Sequence, residues 1–287
     1  MHFSQLSYIT VILYLIFSGC TTETERSLNS SWSEVREAGS GTITLHYVPS
    51  DGFSYNDENG NLTGVTIELM RDFTDFVKRE YHADVSIHYN PVEQFSEFYS
   101  TVKAGSSGEF GVANVTITEE RKDELAFSRP YMTNIATLIT HSEIAEVEQL
   151  NEITEKFEGL TALAFEGTLH EERLHKIKEN YLPGVPMEFA QSNNEIIEKI
   201  STDSRYFAYV DIYNYWRATQ AGAELRRHSI GDESSEQFGV IMPLDSDWHG
   251  VMREFFEAGE GYTHSEDYKK LLKKHLGSEL AELLLSQ

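Results

Sequence analysis

The 287-residue chain sets 47 Asp and Glu against 23 Lys and Arg, a net charge of −24, with 40% hydrophobic and 12% aromatic residues. That balance excludes a nucleic-acid partner, because holding a phosphate backbone needs a basic footprint and no cluster of Lys and Arg occurs. Disorder is excluded as well: the apolar content is enough for real cores, and the length fits two compact domains.

Residues 8–17, YITVILYLIF, form an apolar run too short to span a bilayer comfortably, followed at once by Ser18, Gly19 and Cys20. The pattern predicts a secretion signal over residues 1–19. Cys20 is the only cysteine, so an internal disulfide is excluded. The small residues before it resemble the lipobox of bacterial lipoproteins, although Phe17 stands where that pattern usually has leucine. The resemblance implies a lipidated Cys20 that holds the protein to a membrane in the periplasm or cell envelope. TTETERSLNSS, residues 21–31, is polar and aperiodic, as expected of a flexible tether between anchor and folded body.

From Thr42 onward strands and helices alternate. TITLHYV reads as a strand, DGFSYNDENGNLTG as a turn-rich connection, and VTIELMRDFTDFVKREY as a helix with Ile67, Met70, Phe73, Phe76 and Val77 on one stripe. VSIHYN is a second strand, Val92–Ala104 a helix ended by Gly105, and VANVTIT a third strand running into a helical turn, EERKDEL. The alternation then resumes. TLITHS and LTALAF are strands, and a helix opens after Gly167 with Thr168 near its cap. NNEIIEKIST is a short helix, YFAYVDIYNYW a strand passing into a helix, FGVIMP a strand, and DWHGVMREFFEAG and DYKKLLKKHLG closing helices. Two α/β units of roughly 100 residues without a Pro/Gly-rich linker suggest lobes joined through strands, with a ligand cleft between them. No sequence repeat of fixed period is present.

Arg121 raises the functional question, since a lone arginine follows an apolar, hydroxyl-rich strand in an acidic protein. On residue chemistry alone it could pair with Glu119, Glu120 or Glu124 on a solvated turn. HEERLH, 170–175, spaces two histidines by five, poor for one helix face, and reads as surface. His46, His170 and His175 have no motif around them, and no catalytic, phosphate-binding or metal signature is found. No cofactor or metal is therefore expected.

Several separated segments together resemble the bacterial extracellular solute-binding proteins of family 3, the amino-acid-type receptors of ABC importers. These are FSYNDENGNLTGVTIELMRDF, EFGVANVTITEERKDELAFSRPY, LTALAFEGT, AYVDIYNY and FGVIMPLDSDW, in that order. The resemblance implies an α/β fold of two Rossmann-like lobes joined by two hinge strands, the periplasmic-binding-protein type II or flytrap arrangement. Lobe 1 is expected at 32–134 plus 238–287 and lobe 2 at 135–237. It further implies that Arg121 takes a ligand carboxylate, Asp211 the ammonium from the opposite lobe, and Thr116 a supporting contact. Gly167 and Thr168 mark a helix start facing the ligand, and Phe95 is a platform, with Tyr47 or Tyr55 as a second wall. Asn114 replaces a usual glycine at the pocket rim. Tyr47 and Phe165 stand near where relatives carry polar side chains, pointing to a less polar specificity pocket. The expected protein is a monomeric receptor, not an enzyme, with an α-amino acid as ligand and an ABC permease as partner. The alternatives are a non-transport sensor or regulatory module for a peptidoglycan-derived ligand, and a dehydratase on the same fold.

Overall fold

The computed structural model describes residues 29–286. The expected signal segment, Cys20 and most of the tether lie outside the described residues. Helix α1 (Trp32–Ala38) opens the body through a capping box. The Ser31 hydroxyl accepts from the Glu34 amide, and the Glu34 carboxylate accepts from the Ser31 amide at 2.8 Å, satisfying two end donors at once. There follow β1 (Ser40–Tyr47), a small hairpin of β2 (Tyr55–Asn56) and β3 (Leu62–Thr63), α2 (Val65–Tyr81), β4 (Asp84–Pro91), α3 (Phe95–Lys103), β5 (Glu109–Thr116), α4 (Glu119–Lys122) and β6 (Leu125–Phe127). The middle of the chain contributes β7 (Met132–His141), α5 (Ile153–Lys156), β8 (Thr161–Phe165), α6 (Leu169–Tyr181), β9 (Met187–Ala190), α7 (Asn193–Thr202), β10 (Tyr206–Asp211) and α8 (Ile212–Gln220). It closes with β11 (Leu225–Pro243), α9 (His249–Glu257), α10 (Glu266–Leu276) and α11 (Ser278–Leu285).

Nine of the strands form one sheet in the order β4-β1-β5-β11-β7-β10-β8-β9, with β6 also on β11, and the β2–β3 hairpin stands apart from it. At one end β1 runs parallel to β4 and β5, and at the other β8 runs parallel to β9 and β10. Helices cover these parallel ends, as right-handed crossovers require. The middle is antiparallel. β11 pairs with β7 from Leu225 to Phe238 and with β5 and β6 from Phe238 to Pro243. Two strands thus link two α/β lobes, the expected fold class.

Each lobe has its own core. Ile43, Leu45, Phe73, Phe110, Trp248 and Phe255 fill the first, and Leu138, Phe157, Leu174, Phe207 and Tyr209 the second. A third cluster bridges them, with Phe95 and Phe98 of α3 against Leu163, Phe165 and Ile196.

β11 is 19 residues long, although only FGVIMP reads as a strand. Its first part, LRRHSIGDESSEQ, lacks period-2 apolar alternation because it is fixed by charged partners as well as by packing. Arg227 pairs with Asp232, and Glu233 and Glu236 reach Arg173. Tyr47 was expected as a pocket wall, but it is buried in the first core with Ile43 and Leu45. The pleat explains this: residues 43, 45 and 47 share one face of β1, and that face meets the core.

Candidate functional site

The lobes touch along a narrow seam. Phe95 at the start of α3 and Phe165 at the end of β8 meet edge-to-face with centroids 6.3 Å apart. A Cβ at Gly167 would stand 3.3 Å from Ser96 Cβ of the facing lobe, and the residue's φ of +74° belongs to the left-handed region that favours glycine. A second contact lies along α8, where Tyr213 meets Phe53 at 4.9 Å and Arg217 pairs with Asp51. Between these contacts lies a cavity of about 50 Å³, lined on the first lobe by Phe95, Ala113, Asn114, Thr116 and Arg121. The second lobe supplies Phe165, Thr168, Leu169, His170, Arg173, Asn193 and Asp211. Such a space holds a few waters, so a larger molecule must part the lobes to enter.

Arg121 sits on α4, a single turn begun by Thr118, whose hydroxyl accepts from the Arg121 amide at 3.2 Å. Its guanidinium donates to the Thr116 carbonyl at 3.1 Å and stacks on Phe95 and Tyr99, 5.7 and 5.5 Å from the ring centroids. The acidic neighbours are taken elsewhere. Glu119 pairs with Lys122, while Glu124 accepts from Lys103 and Tyr99. Among the described residues no carboxylate reaches Arg121 within ion-pair distance, which removes the solvated-turn alternative. Burial lowers the pKa of this guanidinium, disfavouring its charge, so an arriving anion would stabilise it.

Asn114 occupies an irregular stretch of β5. The β5–β11 register shifts between Gly239 and Ile241, and Asn114 adopts φ +53°. Asparagine tolerates this left-handed conformation better than most side chains, which accounts for it at a position expected to favour glycine. Its Oδ1 accepts from the Tyr131 hydroxyl at 2.9 Å.

Asp211 ends β10 and caps α8 by position only, since its side chain makes no capping hydrogen bond. Its Oδ1 accepts instead from Asn134 at 2.7 Å and faces His170 Nε2 at 3.2 Å. Thr168 likewise spends no hydroxyl on capping α6 and donates to the Phe165 carbonyl at 2.8 Å. The Gly167 amide donates to Glu171 at 2.8 Å, and Gly167 is not among the lining residues. Tyr47 and Tyr55 do not line the cavity either; the Tyr55 hydroxyl bonds to His275 at 3.0 Å.

His170 corrects the reading of HEERLH as surface. It is buried against Asp211, whereas His175 is about half exposed. Arg173 is buried too, paired with Glu233 at 2.9 Å and with Glu236. A signal for both exists in the sequence. His170, Arg173, Leu174 and Ile177 follow the i, i+3, i+4, i+7 stripe on the buried face of α6, so the two polar members of an otherwise apolar stripe mark the cavity. Asn193, also missed, lines the cavity, and its buried Oδ1 has no hydrogen-bond partner among the described residues.

Among the described residues no group of three or more His, Cys, Asp or Glu side chains is arranged to hold a metal ion. No helix among them is long and apolar enough to cross a membrane.

The family model for bacterial extracellular solute-binding proteins, family 3, matches residues 46–278. A comparison with curated protein sequences returns no match. Among solved structures, an ancestral arginine-binding protein bound to arginine superposes with a TM-score of 0.65 at 20% identity, covering 83% of this chain and 99% of that one. The arginine-, lysine-, histidine-binding protein ArtJ from Geobacillus stearothermophilus gives 0.62 at 18%, covering 82% and 95%. An ancestral amino-acid-binding protein described as a precursor of cyclohexadienyl dehydratase gives 0.63 at 18%, covering 85% and 98%. At these identities the likeness shows the fold.

Proposed function

Because the chain belongs to the bacterial extracellular solute-binding proteins of family 3, we propose that it captures an α-amino acid between its lobes and delivers it to an ABC importer. Family membership makes it a solute-binding receptor and implies a periplasmic setting; the ligand class and the importer are the proposed part. The carrying observation is Arg121, a guanidinium in the interlobe cavity with no carboxylate partner among the described residues. Its planar fork suits a ligand carboxylate, with two parallel charge-assisted hydrogen bonds.

Asp211, from the opposite lobe, takes the ligand ammonium through the oxygen that His170 and Asn134 leave free. Thr116 and Thr168 supply hydroxyl contacts, Phe95 the platform under Arg121, and Asn114 the rim. With the two ligand charges divided between lobes, ligand binds the closed state better than the open one, and that difference drives closure. The lobes are assigned as 32–134 with 238–287, and 135–237, supported by the exchange of strand partners on β11 at Phe238. The receptor acts as a monomer held to the membrane through Cys20.

For the ligand side chain the cavity offers Phe165 and Leu169 with neutral Asn193. An unpartnered acceptor such as Asn193 Oδ1 favours a small, neutral side chain that donates a hydrogen bond, as in serine. Family membership favours the receptor over the dehydratase, for which the free oxygen of Asp211 would be the available proton acceptor.

Thermal unfolding against the free amino acids, small dicarboxylates and peptidoglycan fragments tests the proposal, since a ligand that binds only the folded state raises the midpoint. A shift with a neutral amino acid, lost in Arg121→Ala, is expected. A shift with peptidoglycan fragments alone would replace the importer reading with the sensor.

A further inference from the structure

Five side chains, three of them in the cavity wall, close into a hydrogen-bonded ring. Asp211 Oδ1 meets Asn134 Nδ2 at 2.7 Å and His170 Nε2 at 3.2 Å. His170 Nδ1 meets Arg173 Nη1 at 3.2 Å, and Arg173 Nη2 donates to one oxygen of Glu236. The other oxygen of Glu236 accepts from Asn134 at 3.1 Å and completes the circuit. His170, Arg173, Asp211, Asn134 and Glu236 are all buried. The ring also joins α6 and β10 to both strands that cross between the lobes, through Asn134 on β7 and Glu236 on β11.

The proton positions follow from donor chemistry. A guanidinium has five N–H donors and no acceptor. His170 Nδ1 must therefore accept, the imidazole proton resides on Nε2, and Nε2 donates to Asp211. Protonating the imidazole would set an N–H against the N–H of Arg173 in a buried site.

We propose that His170 and Arg173 are positioning residues for Asp211. Arg173 holds His170 in the neutral Nε2–H form, and His170 with Asn134 fixes the Asp211 carboxylate with one oxygen turned to the ligand. Both contacts fall on Oδ1, which leaves the other carboxylate oxygen for the ligand ammonium. The proposal rests on reading Asp211 as the ammonium partner. The charged groups around His170 are Asp211 from β10, Arg173 on its own helix, Arg121 across the cavity, and Glu233 and Glu236 reached through Arg173. Of these, only Arg173 touches Nδ1, and as a donor without acceptor capacity it fixes the tautomer.

The test is nitrogen NMR of the His170 imidazole in the full-length protein at neutral pH, together with L-serine affinity. In the wild type, the imidazole proton is expected on Nε2 and not on Nδ1. Arg173→Met alone strands Glu236, so the paired variant Arg173→Met/Glu236→Gln is used to retain a folded protein. There the Nε2–H tautomer should lose its preference and the L-serine Kd should rise about tenfold, as expected when the residue that orients a binding group is removed. An Nδ1–H signal in the wild type, or an unchanged tautomer and L-serine Kd in the paired variant, would overturn the proposal. If L-serine does not bind the wild type, the proposed ligand fails separately, and the imidazole spectra still decide whether the lock exists.

Discussion

Arg121 and Arg173 line the same cavity from opposite lobes, and their surroundings differ in kind. Arg173 has two carboxylates and a histidine around its guanidinium. Arg121 has a backbone carbonyl and two aromatic rings. A buried guanidinium fully matched by its own protein contributes to structure, and removing it leaves uncompensated charge. One kept in a cavity without an anion is costly to the free protein, and a ligand carboxylate offsets that cost. The difference separates a structural cation from one reserved for ligand, although both residues face the same space.

The largest expected effect falls on the structural arginine. Arg173→Met leaves Glu236 buried and unpaired and should cost about 3–5 kcal/mol of stability in denaturant unfolding, with Glu236→Gln restoring part of the loss. For the ligand arginine the pattern reverses. Arg121→Ala should weaken amino-acid binding at least about 100-fold in calorimetry while leaving the unfolding midpoint of the free protein nearly unchanged.

Acid provides a third contrast, far from the cavity. Burial pushes the His228 imidazole down to about 4. Its Nδ1 accepts from the Val147 amide at 3.0 Å and its Nε2 meets the Thr140 hydroxyl at 2.8 Å. The unfolded chain takes up this proton near the ordinary histidine value and the folded chain only near 4, so the contribution is complete at neutral pH and is lost as pH falls between the two. The loss should be on the order of 2–3 kcal/mol by acid titration of unfolding, and His228→Gln should flatten it. The smallest effect is on selectivity. Asn193→Ala should reduce the preference for serine over alanine by about tenfold, because only the hydrogen-bonding part of recognition is removed.

Much of this was legible because strands and helices announce themselves by apolar period, and α2, α3, β5 and α6 carry it plainly. Arg121, Asp211, Thr116, Thr168, Phe95 and Asn114 are brought together around one cavity from segments whose order already matched the resemblance. Tyr47 was misplaced although its own strand held the answer, since Ile43 and Leu45 share its face. The buried ring was hidden for a different reason. Arg173 finds its partners 60 and 63 residues further along the chain, in a polar part of β11 that no periodicity marks as a strand. Asn193 depends on how α7 docks beside Asp211, a tertiary fact with no local signal.

The most direct measurement is a calorimetric cycle that pairs Arg121→Ala with removal of the ligand carboxylate, titrating L-serine and its decarboxylated analogue ethanolamine into both proteins. If Arg121 holds the carboxylate, either change alone should produce nearly the full loss of affinity, and combining them should add little. Additive losses, or a variant that still distinguishes the two ligands as the wild type does, would show that the carboxylate is bound elsewhere and that Arg121 is not the reserved cation.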